Sequence, residues 1–108
     1  MPEIVLQFSG PLTLTEAMKV LALHEKALEA HRRAHPGADL SDLRVVADLS
    51  GLTDIDTAAL AVVLQLDRRV RTWLSRPLRL RGAPDNLISL ARLSSLLPAL
   101  DWEQGALQ

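Results

Sequence analysis

Three groups of residues in this chain have types and spacings suited to chemistry. Asp48, Asp54 and Asp56 offer carboxylates for proton transfer, but no Lys, Cys or His lies near them in sequence to complete a catalytic set. Turn formation and helix capping account for them more simply. His24, His31 and His35 follow at spacings of seven and four, roughly one helical face, yet a metal site wants a carboxylate or fourth ligand in register and Pro36 disrupts the geometry at His35. The third group is Thr57 with its neighbours Asp54 and Asp56. Its hydroxyl can supplement a helix cap, or serve as a contact or switch point. Phosphorylation would add roughly −1.5 to −2 charges beside the two acids, and the repulsion would expel a docked partner. No G-x-G-x-x-G, Walker loop or H-E-x-x-H is present, since His24-Glu25 is followed by Lys26-Ala27-Leu28. The residues therefore give no positive support to an enzyme, a cofactor or a metal.

The elements that must position these residues belong to one domain spanning all 108 residues, with 48% hydrophobic residues and a net charge of −1. The absence of cysteine excludes disulfides and thiolate chemistry and points to a reducing, cytoplasmic setting. The longest apolar run, residues 58–64, falls far short of the ~20 residues of a membrane span, and the first ten residues lack a signal-peptide layout. Three aromatics, Phe8, Trp73 and Trp102, are too few for a nucleic-acid stacking platform. Nine of the thirteen acids precede Thr57, while Arg68, Arg69, Arg71, Arg76, Arg79 and Arg81 crowd a stretch in which Asp67 is the only acid. That stretch predicts a basic patch, read either as a solvated face or as a contact for an acidic partner or anionic surface.

Residues 4–9 alternate apolar and polar, which predicts a half-buried strand ended by Gly10-Pro11. After Thr13 and Thr15 as candidate caps, Leu14, Ala17, Met18, Leu21, Ala22, Glu25 and Leu28 recur at helical spacing, and the helix ends at His35-Pro36-Gly37. Residues 43–49 suit a central strand buried on both faces. Residues 50–56 read as a turn leading into a second helix over about 57–74, with Asp56 as its cap. Residues 78–81 alternate as a third strand, Asp85 or Asn86 can cap a third helix, and residues 96–102 close the domain. Strands alternating with helices predict an α/β fold, with a mixed β-sheet and helices packed mainly on one face.

The second helix carries more apolar surface than one core needs. At ~100° per residue, Ala59, Val62, Val63, Leu66, Val70, Trp73 and Leu74 form a broad stripe, and Leu60 and Leu64 widen it towards Thr57, Ala61 and Arg68. The Thr57, Ala61, Leu64, Arg68 edge predicts a surface that meets something else, and the small residues at the helix start would let a partner backbone approach. Leu64 is equally readable as a core residue at the edge of the stripe.

The run over residues 46–64, whose centre reads Asp48-Leu49-Ser50-Gly51-Leu52-Thr53-Asp54-Ile55-Asp56-Thr57-Ala58-Ala59, resembles the signature of STAS domains. That family is shared by anti-sigma-factor antagonists and sulfate-transporter tails. Phe8-Ser9-Gly10-Pro11-Leu12-Thr13-Leu14 resembles the family's first strand and turn, and Leu80-Arg81-Gly82-Ala83-Pro84-Asp85-Asn86-Leu87 falls in place after the third strand, so the likeness covers nearly the whole chain. The antagonists carry Asp-Ser-Ser-Gly with the second serine phosphorylated. Here the motif is Asp56-Thr57-Ala58-Ala59, and Ala58 has no hydroxyl at the acceptor position.

Thr57 and the Gly82-Ala83-Pro84 segment with Leu87 and Leu90 are similar instead to the MlaB-like branch, the small cytoplasmic STAS subunits of Mla phospholipid-transport ABC complexes that serve outer-membrane lipid asymmetry. This resemblance implies a non-catalytic accessory subunit that docks on an MlaF-like ATPase, within a complex with its permease, through the start of the second helix. Thr57 would be the contact, flanked by Asp54, Asp56, Ala58, Ala61, Leu64 and Arg68. It further implies no cofactor, metal, nucleic acid or direct membrane insertion, and a location peripheral to the inner membrane through the complex; self-association stays open. The alternative it implies is an anti-sigma-factor-antagonist module binding a kinase-like anti-sigma factor. A small nucleotide-binding protein is a third reading, without a visible phosphate loop.

Overall fold

Alternation along the first strand separates two environments. The computed structural model describes residues 3–34, 40 and 42–103. In it β1 (Glu3–Leu12) buries Ile4, Leu6, Phe8 and Leu12 and turns Glu3, Val5 and Gln7 to the opposite side. The strand runs past Gly10, which adopts φ +76°, and ends beyond Pro11 rather than before it. A capping box then starts α1 (Leu14–Ala34): the backbone N–H and the hydroxyl of Thr13 both donate to Glu16 Oε1, at 3.0 and 2.6 Å. Those bonds hold the Glu16 carboxyl below its ordinary range, the hydroxyl bond contributing most.

The next strand, β2 (Arg44–Ile55), is longer than its sequence suggests, because residues 50–55 continue it rather than forming the expected turn. Pairing slips twice, with Gln7 opposite Asp48 but Ser9 opposite Gly51, and Gly10 opposite Leu52 but Leu12 opposite Ile55. Each slip inserts one extra residue into β2, a bulge that lets turn-forming residues stay in the sheet. Asp48 steadies the first bulge by accepting from the Ser50 hydroxyl at 2.7 Å and the Ser50 N–H at 3.0 Å. Gly51 is required there, since a Cβ would sit 2.6 Å from the Phe8 carbonyl oxygen.

The second helix, α2 (Thr57–Leu74), follows the expected bounds, and Ser75 closes it in the left-handed region at φ 58°. Asp67, buried within it, accepts from Arg71 Nε at 2.8 Å and from the Leu78 backbone N–H at 3.0 Å, so the only acid of the arginine stretch ties the helix to the following strand. That strand is β3 (Arg79–Arg81), and α3 (Asp85–Leu93) succeeds it. Pro84, not Asp85 or Asn86, occupies the cap position of α3 and makes no side-chain bond there; Asp85 lies in the first turn. A short 3₁₀ turn (Leu97–Ala99) leads to β4 (Asp101–Trp102), where Trp102 Nε1 donates to the Leu97 carbonyl at 2.7 Å.

The sheet order is β1-β2-β3-β4, and every described pairing is parallel, which corrects the expected mixed sheet. Each connection is long enough to carry a helix, and helical crossovers return strands in the same direction. Helices do lie mainly over one face, where Ile4, Leu6, Phe8, Val45, Ala47 and Leu80 share one core with Val63, Leu66, Val70 and Leu87. The other face is closed by charge. Arg81 bridges Glu103 at 2.8 Å and Glu3 at 3.2 Å, Arg79 Nε lies 3.5 Å from Asp101, and Val46 is wholly buried among them. No helix among the described residues is long and apolar enough to cross a membrane.

Candidate functional site

The start of α2 is built by Asp56. Its backbone is extended, and Oδ1 accepts from the Ala58 N–H at 2.8 Å, satisfying one of the free donors of the helix end. Oδ2 accepts from the Leu14 N–H at 3.1 Å, across 42 residues of sequence. Leu14 is the first residue of α1, so one carboxylate caps two helix starts and fixes the distance between them. Both helices therefore begin at one end of the molecule, side by side.

Between them runs an open groove of about 550 Å³, lined by Leu14, Ala17, Met18 and Leu21 from α1 and by Thr57, Ala58, Ala61 and Gln65 from α2. Leu14 and Met18 stand 78% and 84% exposed, and Thr57 and Ala61 are also exposed. Covering a Leu or Met side chain contributes about 1.5–3 kcal/mol, so two of them on one wall give a partner a substantial gain. The groove can seat apolar side chains, with the Thr57 hydroxyl as a polar marker at its mouth.

The structure brings Asp56, Thr57, Ala58 and Ala61 together here. Leu64 is half-buried against the core and lines a second groove on the far side of α2 beside Arg71 and Ala99, whereas Arg68 lies on the crest of the helix and lines both that groove and the cavity facing Glu25 and Glu29 of α1. Asp54 is exposed two residues before the cap. Leu14 and Met18, at helical spacing with Ala17 and Leu28 in the sequence, do not share their burial. The buried side instead carries Ala17, His24 and Leu28, which rotates the apolar pair outward. The signal available in the sequence is two large apolar residues at i, i+4 directly after a cap.

The other candidate constellations come apart. Asp48 faces the open side of the sheet, where the Ser50 hydroxyl and N–H hold its carboxyl below the ordinary range, far along β2 from Asp56. His24 is buried and stacked on Phe8 with ring centroids 4.0 Å apart, and burial pushes its imidazole below 6.5. His31 is exposed on the last turn of α1, while His35 lies outside the described residues.

The arginines are largely spent on neighbours. Arg69 pairs with Glu25 and Arg71 with Asp67, Arg79 and Arg81 join the ion pairs of the sheet, and Arg76 donates to the Leu43 carbonyl. The expected basic patch is thus mostly an internal ion-pair system, and Arg68 alone of the six has no ion pair or side-chain hydrogen bond among the described residues.

No individual curated protein matches the chain. Among known families, the STAS domain matches residues 2–102. With an α/β fold of parallel strands and three helices behind that match, the chain belongs to the STAS domain family.

Proposed function

We propose that this STAS module is a non-catalytic accessory subunit of a Mla-type phospholipid-transport ABC transporter, docking on the cytoplasmic ATPase subunit through the groove between the starts of α1 and α2. The family supports an accessory or anti-sigma-factor-antagonist-like module. The observation that carries the reading is the groove itself: exposed Leu14 and Met18 face Thr57 and Ala61, with Ala58 where a phosphorylated serine would stand. Such a surface suits constitutive docking of an apolar element more than a phosphate switch, because a switch at position 58 has no oxygen to carry it. Asp56 acts by holding the two walls, since both its oxygens are already engaged.

The test is co-purification of the C-terminally tagged protein from its native cells, wild type against Thr57→Lys. Recovery of an ABC ATPase with its permease, lost in a variant whose circular dichroism is unchanged, is the expected result. A kinase-like anti-sigma factor in their place moves the protein to the signalling branch. One observation favours that second reading, the exposed Thr57 hydroxyl in the first turn of α2, and intact-mass measurement of phosphate at Thr57 distinguishes it.

A further inference from the structure

The groove between the starts of α1 and α2 continues towards the other end of the two helices. Gln65 lines it and also lines a larger cavity of about 870 Å³ between the later turns of the same helices, so the two are halves of one seam. Their chemistry differs. Leu14 and Met18 make the first half apolar, whereas the second is walled by Glu25, Glu29, Arg32 and Arg33 from α1 and by Arg68 and Arg69 from α2. Two carboxylates there face four guanidiniums. Glu25 is taken by Arg69 at 2.8 Å across the seam, and Glu29 is shared by Arg32 Nε at 2.8 Å and Arg33 Nε at 3.4 Å. Arg68 has no ion pair or side-chain hydrogen bond among the described residues, so this half carries a surplus of two positive charges.

Surplus cations between two helices call for acids from another molecule. Leu28, buried, and Trp73, half-buried against the core, line the same half and give it an apolar floor between arginine walls. A flat bilayer cannot follow the cations into such a concavity, whereas a helix can lie along it with acidic side chains on the arginines. Helix dipoles set the direction. α1 and α2 start together at Asp56, so both carry the negative ends of their dipoles towards the arginines. The complementary end of a third helix is its N-terminus, which is also where acids stabilise a helix. We propose that the seam seats one amphipathic helix of a partner protein, antiparallel to α1 and α2, with Asp or Glu in its first turns against Arg33 and Arg68 and apolar side chains further on against Leu14 and Met18.

This rests on the reading of the groove as a docking site and states what docks there. Thr57 and Trp73 mark the two ends of the seam on α2, about 24 Å apart along the helix, a span that a partner helix of about 16 residues covers. Acids confined to one end fix the direction of that helix, since a reversed one would lay apolar side chains among the arginines and carboxylates on Leu14 and Met18.

A p-benzoylphenylalanine placed at Met18 or at Thr72, exposed positions on the two halves, cross-links whatever lies in the seam when the tagged chain is irradiated in its native cells. Both marks are expected within one helix-forming segment of one protein, the Thr72 mark N-terminal to the Met18 mark and with Asp or Glu within a turn of it. Arg68→Glu and Arg33→Glu, each at an exposed side chain, are expected to lower the Met18 yield about fivefold with circular dichroism unchanged, while Arg92→Glu on α3, outside the seam, leaves it unaltered. Arginine in place of the partner acid nearest the Thr72 mark is expected to restore the yield of Arg68→Glu. A Met18 mark without a Thr72 mark, a Thr72 mark on a segment without acids, or a yield indifferent to both reversals overturns the inference and leaves the docking reading standing. No mark at either position overturns both. Flotation of the chain with phosphatidylglycerol vesicles, lost in Arg68→Glu, would give the arginines to lipid headgroups and overturn the inference as well.

Discussion

Replacing Asp56 by alanine removes two hydrogen bonds that start two helices. The bond to the Ala58 N–H is an N-cap, and its loss costs about 1 kcal/mol. The bond to the Leu14 N–H is charge-assisted but exposed, which places its loss also near 1 kcal/mol. Asp56→Ala should therefore lower stability by about 2 kcal/mol, or about 8–12 °C in Tm for a domain of this size. Asp56→Ser separates the two bonds. Its hydroxyl can still cap α2 but is too short to reach α1, so it should cost about 1 kcal/mol. Urea unfolding followed by the fluorescence of Trp73 and Trp102 measures both, with an unchanged m-value as the check on two-state behaviour. An alanine variant within 0.5 kcal/mol of wild type would refute the bridge and the cap together. A serine variant as stable as wild type would show that the link to Leu14 contributes nothing and that the groove walls are set by core packing alone.

Burial holds the His24 imidazole neutral below its ordinary 6.5, so the unfolded chain binds a proton first and stability is lost as pH falls below that value, by up to about 1.4 kcal/mol per pH unit. His24→Phe keeps a ring on Phe8 and should flatten the decline between pH 7 and pH 5; parallel curves would show that the carboxylates alone cause it. Gly51→Ala forces a Cβ against the Phe8 carbonyl and should cost more than 2 kcal/mol, whereas Gly10→Ala meets no atom and should cost only the roughly 1–2 kcal/mol of a left-handed backbone. Equal costs by urea unfolding would dissolve the close approach of β1 and β2. Met18→Glu should leave stability within about 0.5 kcal/mol, since the side chain is exposed, while abolishing ATPase capture in a pull-down; retained capture would take the groove out of the interface.

What the sequence discloses here is mostly what is local. The bounds and cap of α2 could be read because Asp56, the small first turn and the 3.6-residue stripe are all within one segment. The bulged half of β2 could not, since Ser50-Gly51 and Asp54 are turn residues and only the slipped pairing with β1 shows them inside a strand. The buried face of α1 is hard to read for a related reason: hydropathy counts His24 as polar and Leu14 and Met18 as apolar, whereas stacking on Phe8 buries the first and leaves the others in solvent. Least legible were the arginines. Their partners lie far off in the chain, Glu25 for Arg69 and Glu3 for Arg81, so a run of cations looked like a patch until the fold supplied the acids.

That neutralisation decides which surfaces remain for partners. A parallel sheet is normally covered on both faces, and here the second cover is a set of ion pairs, each member at least partly exposed, over a buried Val46. Arginine and carboxylate stems shield the strands there, and the two arginines face three carboxylates, so these pairs leave no surplus positive charge to attract an acidic partner. Of the large apolar residues left exposed among the described residues, Val5 lies on β1, Leu93 on α3 and the other three on α1. Its α2-facing slope exposes Leu14 and Met18 at the groove, and its outer slope exposes Leu23 above the free edge of β1. One helix with apolar residues on three sides is unstable as a solitary surface element. With the inner side on the core, the slope that carries Leu14 and Met18 is the one the proposed docking uses, and a substitution at Leu23, on the outer slope, should leave that docking unchanged.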